Sequence, residues 1–195
     1  MQALMNPDIL PAPLKELAAR ISLVILDVDG VLTDGSLAYA ENGELFKSFN
    51  AKDGLGIRLM QSVGIEVVVI TARKSPILTK RMNDLHITRF YTGYDNKIDA
   101  FNSLLKDAAV SADEIAYVGD DILDLPVMRK VALPVAVADA HFVVKDEAKW
   151  VVTAIGGRGA VREVADGLIT ARQNLLDAYN DFLRTHVGCT GLENA

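Results

Sequence analysis

The chain has 195 residues and a formal net charge of -6. That is enough for one domain with a buried core, and too acidic for a non-specific nucleic-acid binder, which needs a basic field. Its one cysteine, Cys189, builds neither a disulfide framework nor a thiolate zinc site, and apolar runs such as Val67-Val68-Val69-Ile70 are too short to span a bilayer.

The N-terminus lacks a basic start followed by an apolar stretch, so no secretory leader is expected. A cytoplasmic chain with no membrane or nucleic-acid partner follows. Pro13 to Ile21 reads as a short helix and Leu23 to Leu26 as a buried strand running into Asp27-Val28-Asp29-Gly30. Ser36 to Ala40 and Glu44 to Phe49 flank Asn42-Gly43, a hairpin turn signal. Helices are predicted over 54–63, 75–85, 97–108 and 123–131. Strands are predicted over 66–70, 89–91, 114–118, 133–137 and 150–152. Gly156-Gly157-Arg158-Gly159 breaks the chain before a predicted final helix over 160–183, where Val161, Val164, Ala165 and Leu168 keep helical spacing. Residues 185–195 read as a mobile tail, and all of 1–195 as a single domain. Alternating strands and helices imply an α/β fold: a three-layer, Rossmann-like parallel sheet with helices on both faces, plus a protruding hairpin over 36–49.

In such sheets ligands bind beyond the carboxyl ends of the strands. Asp27 and Asp29 follow one predicted strand, Asp120, Asp121 and Asp124 follow another, and Thr71 ends a third. Converging carboxylates repel unless a cation joins them, and hard oxygen donors without nearby histidine or cysteine point to Mg2+. The chemistry such a set suits is phosphoryl transfer. A carboxylate nucleophile reaches a phosphate dianion only after metal and lysine neutralise it, and a second carboxylate can move the proton. His86, His141 and His186 lie away from these motifs in sequence, and Trp150 and Met128 read as core.

Asp27-Val28-Asp29-Gly30-Val31-Leu32-Thr33, Ile70-Thr71-Ala72-Arg73, Lys97, and Gly119-Asp120-Asp121-Ile122-Leu123-Asp124 together resemble, in order, the four motifs of the haloacid-dehalogenase-like phosphatases. The resemblance implies that Asp27 is the nucleophile and Asp29 the acid/base. It also implies that Thr71 bonds the transferring group, Lys97 neutralises it, and Asp27, Asp120 and Asp29 (through its carbonyl) hold magnesium. Asp121 or Asp124 would support the metal. The spacing between the first two motifs leaves room for a hairpin and one helix, which resembles the capless subgroup.

Within that subgroup, Asp34-Gly35, the segment Phe49-Asn50-Ala51-Lys52-Asp53-Gly54, Arg58, Arg73, Arg81 and Gly156-Gly157-Arg158-Gly159 resemble the family of 3-deoxy-D-manno-octulosonate 8-phosphate phosphatases of lipopolysaccharide biosynthesis. The resemblance implies sugar-phosphate contacts from Asp29, Asn50, Ala51, Lys52, Asp53, Gly54, Arg58, Arg73, Arg81 and Lys97. It also implies a homotetramer with active sites between subunits. Lys52 and Ala72 stand where the family often has Arg and Gly. Leu37, Tyr39, Leu45, Phe46 and Phe49 make the hairpin too apolar for a solvated ribbon, in keeping with association. Two other readings compete: a phosphatase of a nine-carbon sialic-type acid 9-phosphate, and a phospho-accepting signalling domain.

Overall fold

A computed structural model describes residues 9–188. In chain order it contains α1 (Lys15–Ala19), β1 (Leu23–Leu26), β2 (Ala38–Ala40), β3 (Gly43–Phe46), α2 (Ala51–Ser62), β4 (Glu66–Thr71), α3 (Pro76–Asp84), β5 (Phe90–Thr92) and α4 (Lys97–Asp107). Then come β6 (Ile115–Gly119), α5 (Leu125–Met128), β7 (Leu133–Ala136), α6 (Phe142–Glu147), β8 (Trp150–Val151), α7 (Ala160–Arg172) and α8 (Leu175–Val187).

The main sheet has six strands in the order β5-β4-β1-β6-β7-β8, and every neighbouring pair is parallel. Strand β1 is central and buried along its whole length, which is why Leu23-Val24-Ile25-Leu26 is an unbroken apolar run. The chain winds from β1 outward through β4 and β5, then returns to lay β6 on the other side of β1. Between β1 and β6 the winding reverses, and the connections that leave the two strands run to opposite faces of the sheet, which leaves a crevice there. Helices α1, α2, α3, α7 and α8 cover one face, and α4, α5 and α6 the other. Trp150 and Met128 are both buried in this core. No helix among the described residues is long and apolar enough to cross a membrane.

Between β1 and β4 there are only the β2–β3 hairpin and α2, so the architecture is the expected three-layer fold without a cap. Three local expectations change. The hairpin turn sits one residue earlier, because Ala40 pairs with Gly43 and leaves Glu41 and Asn42 at the tip. The predicted final helix is two helices. Gln173 is extended (φ -157, ψ 175), and the Asn174 side chain caps α8 by accepting from Leu176 N at 2.9 Å. Helix α8 continues to Val187, past the expected start of the tail; residues 189–195, with Cys189, lie outside the described residues. Helix α6 had no sequence signal strong enough to predict it: it is six residues long, and its first residue, Phe142, is 73% exposed.

Candidate active site

The crevice at the carboxyl end of β1 is lined by the residues that follow three adjacent strands. Asp27 extends β1, its N–H donating to Val118 O at 3.1 Å across the β1–β6 gap. The chain then turns sharply, with the N–H groups of Leu32 and Thr33 both donating to Val28 O, at 2.9 and 3.0 Å. Gly30 permits this turn at φ +93, and a Cβ there would fall on the Asp120 carboxylate. Thr71, buried, ends β4, and its Oγ1 accepts from Arg73 N at 3.2 Å, leaving the hydroxyl proton free to donate. Lys97 opens α4 behind the Asn96 cap and is 5% exposed.

Lys97 Nζ joins the two acidic motifs. It lies 2.8 Å from Asp27 Oδ1 and 2.6 Å from Asp124 Oδ1. Oxygens of Asp27, Asp120 and Asp124 come within 4.8 Å of one another. Asp124, buried, also accepts from Tyr117 OH at 2.6 Å and from the backbone N–H groups of Asp120 and Asp121 at 2.9 and 3.3 Å. Four donors occupy about all the lone pairs a carboxylate offers. Asp124 therefore suits an orienting role, while Asp27 and Asp120 keep oxygens to offer a cation. Of Asp121 and Asp124, Asp124 lies in the carboxylate cluster, while the Asp121 side chain accepts from Ile122 N at 2.7 Å.

The electrostatics match this geometry. Burial, then repulsion from Asp124, pushes Asp27 up to about 6. Burial, then repulsion from Asp27 and Asp124, pushes Asp120 up to about 8. Burial acts to lower Lys97, but Asp27 and Asp124 outweigh it and hold the ammonium above the ordinary lysine range. One buried cation thus faces three carboxylates, and a dication between Asp27 and Asp120 would relieve the excess. The all-oxygen donor set fits a hard metal such as magnesium.

Asp29 is outside the carboxylate triangle. Its carboxylate receives Lys47 Nζ on one oxygen and lies 3.4 Å from Arg73 Nε on the other. Arg73 Nη1 also donates to Tyr39 OH at 2.9 Å, so the hairpin leans over its own chain's site. Leu37, Tyr39, Leu45 and Phe46 remain exposed on the hairpin, while Phe49 packs against the core.

The segment expected to contact sugar sits differently. Asn50 caps α2, its side chain accepting from Lys52 N at 2.8 Å. Ala51 is the exposed first residue of that helix, and Lys52 lines a separate cleft with Arg158 and Arg162. Asp53 is buried away from the carboxylate cluster and accepts from Gly159 N at 3.1 Å and Arg162 N at 2.9 Å, capping α7. Burial raises its carboxyl despite those donors. Arg81 lies against Gly54, with its guanidinium carbon 5.6 Å from the centre of the Phe49 ring. Arg58 lies near the opposite, amino end of the sheet, in a cleft with Glu66 and His86, and donates to Gln61 Oε1 at 3.3 Å. A single chain therefore does not bring Arg58 or Asp53 to Asp27. His141 is closer to the motifs than its place in the sequence implied: its N–H donates to Asp120 O at 2.8 Å and its ring caps α6.

Lys47, Glu44 and Tyr117 were not anticipated. The only sequence signal for Lys47 was a lysine set inside the apolar stretch Leu45-Phe46-Lys47-Ser48-Phe49, and for Tyr117 a hydroxyl inside a buried strand.

Comparison with known proteins agrees with this geometry. A family model described as haloacid dehalogenase-like hydrolase matches residues 86–162. The 3-deoxy-D-manno-octulosonate 8-phosphate phosphatase KdsC of Escherichia coli K12 is 50% identical over 161 residues, covering 83% of this chain and 86% of the relative. A cobalt-bound phosphatase of the same sugar phosphate from Haemophilus influenzae superposes with a TM-score of 0.78 at 45% identity, covering 80% of this chain and 91% of that one. The Moraxella catarrhalis enzyme, in complex with magnesium, phosphate and KDO, gives 0.82 at 33% identity, covering 86% and 95%.

Proposed function

The chain belongs to the haloacid dehalogenase-like hydrolases, in the family of the 3-deoxy-D-manno-octulosonate 8-phosphate phosphatases, and we propose that it hydrolyses that ester to the free sugar acid and inorganic phosphate, with magnesium, in lipopolysaccharide biosynthesis. The observation that carries the reading is the Asp27 carboxylate, paired with buried Lys97 and facing Asp120 at the switch point of the sheet.

In this reading an Asp27 oxygen attacks phosphorus. The new O–P bond makes an aspartyl-phosphate as the bond to the sugar oxygen breaks. Asp29 gives its proton to the departing alkoxide, then takes one from the water that attacks phosphorus and frees Asp27. Lys97 and the Thr71 hydroxyl bind the phosphoryl oxygens, and Asp124 fixes Lys97. Magnesium, held by Asp27, Asp120 and the Asp29 carbonyl, would neutralise phosphate charge as it develops. The half-exposed Arg73 reaches the same opening and suits a carboxylate or phosphate oxyanion.

The exposed apolar hairpin residues support assembly into a homotetramer. In that assembly a neighbour would complete the site with groups that one chain holds apart, Arg58 among them. Steady-state kinetics test the substrate. The eight-carbon acid 8-phosphate should exceed a nine-carbon acid 9-phosphate in kcat/KM, and the reverse order would overturn the assignment. Asp27→Asn should fold and assemble yet turn over nothing; substantial activity would remove Asp27 as nucleophile.

A further inference from the structure

Lys47 is a buried cation that none of the four motifs contains. It follows β3, its side chain is 2% exposed, and its Nζ contacts Asp29 Oδ1 and lies 3.2 Å from Glu44 Oε1. An ammonium is expensive to bury unless it is paired and hydrogen-bonded, and both partners here are carboxylates. Glu44 is itself anchored: its other oxygen accepts from Ser75 Oγ, and the same hydroxyl oxygen accepts from Leu78 N at 3.1 Å to cap α3. The chain of contacts runs from a rigid helix start, through Ser75, Glu44 and Lys47, to one oxygen of Asp29.

Among the described residues, the other oxygen of Asp29 has only Arg73, whose Nε is 3.4 Å away and whose side chain is 46% exposed. Solvent and salt screen such a contact, so it orients weakly. The buried Lys47 contact therefore sets the direction of the carboxylate.

We propose that Lys47 is a positioning residue for Asp29, holding its carboxyl group where, in its protonated form, it donates to the departing sugar oxygen. This rests on the reading of Asp29 as the acid of the reaction. Lys47 forms no covalent bond and exchanges no proton in the cycle. A group that positions the acid matters most when the leaving oxygen needs a proton, as a sugar alkoxide does. It matters little when the leaving group departs as a stable anion, as p-nitrophenolate does.

The experiment compares Lys47→Met with the wild-type enzyme on both kinds of ester, with magnesium. On the sugar acid phosphate kcat should fall about 100-fold, within the span of general-acid effects, with KM little changed. On p-nitrophenyl phosphate the pre-steady-state burst of nitrophenolate, which reports formation of the aspartyl-phosphate, should keep its wild-type rate. Lys47→Arg, which returns a cation to the carboxylate, should recover part of the sugar phosphate rate. Glu44→Gln, which loosens the anchor and leaves the ammonium, should lose less than Lys47→Met. Equal slowing of burst and sugar turnover, or no change in either, overturns the proposal. If the wild-type enzyme is inert to the sugar acid phosphate, the substrate assignment fails instead, and a simple alkyl phosphate carries the same comparison.

Discussion

Replacing Lys97 by methionine isolates what the buried ammonium does. Methionine matches the lysine stem in length and apolar character, so the main change is removal of one charge. Two charge-assisted hydrogen bonds go with it, at 2.8 Å to Asp27 and 2.6 Å to Asp124, each worth about 1.5–3 kcal/mol. Against that loss, the penalty for burying an ammonium disappears, and Asp27 and Asp120 can respond by binding protons. Removing one partner of a buried pair usually leaves a net loss of about 3–5 kcal/mol. For a chain of this size that corresponds to a fall in Tm of about 10 °C. The loss should depend on metal, because magnesium supplies the carboxylates with another counter-charge. Thermal unfolding of both proteins near neutral pH, in chelator and in excess magnesium, measures it. The drop should be largest in chelator and shrink with magnesium, while turnover is lost in both. A fall under about 2 °C in chelator, or the same fall in both conditions, would refute the view that Lys97 balances the carboxylate cluster.

Three further outcomes follow from the same contacts. Asp27 and Asp120 are raised from 3.8 to about 6 and about 8, so the folded chain keeps protons that the unfolded chain has released. Without metal, stability should fall as pH rises from about 4 to about 8, and magnesium, which displaces those protons, should bind more tightly over the same rise. Calorimetric titrations at several pH values check this, and pH-independent affinity would contradict it. Gly30→Ala should disturb Asp120, because its Cβ would overlap that carboxylate and φ is +93; magnesium titrations should show affinity falling at least tenfold, about 1.4 kcal/mol. Replacing the exposed Leu45 and Phe46 together with serine should shift sedimentation toward smaller species, whereas an unchanged distribution would place the association surface elsewhere.

What the sequence displayed well was whatever depends on short, contiguous signals. Apolar runs marked β1, β4 and β6, and the acidic residues after β1 and β6, with Thr71 at the end of β4, marked one edge of one sheet. What it concealed depends on distance in the fold. Asp53 lies in a motif-like segment, but its oxygens belong to backbone N–H groups more than one hundred residues later in the chain. Arg58 follows the same segment, yet a helix carries it toward the far end of the sheet. The break between α7 and α8 has neither glycine nor proline, and only the cap at Asn174 betrays it. The role of Lys47 has no local signal, because its carboxylate partner, Asp29, is 18 residues earlier in the sequence.

The late glycine motif explains how those distant pieces bear on Asp27. Gly157 N donates to Val31 O at 2.8 Å, directly bracing the turn that follows the nucleophile. Gly156 and Gly157 sit so close to the backbone of Gly30 and Thr33 that a Cβ on either would collide with it. Gly156 is held in turn by Asp139 Oδ1 at 2.9 Å, and Gly159 by Asp53. Asp53 lies at the start of α2 and accepts from the first N–H groups of α7, where the helix dipole favours an anion. The Asp27 turn, the start of α2 and the start of α7 are therefore one mechanical unit. On this view Asp53 affects the site through the backbone it fixes, without touching what Asp27 attacks.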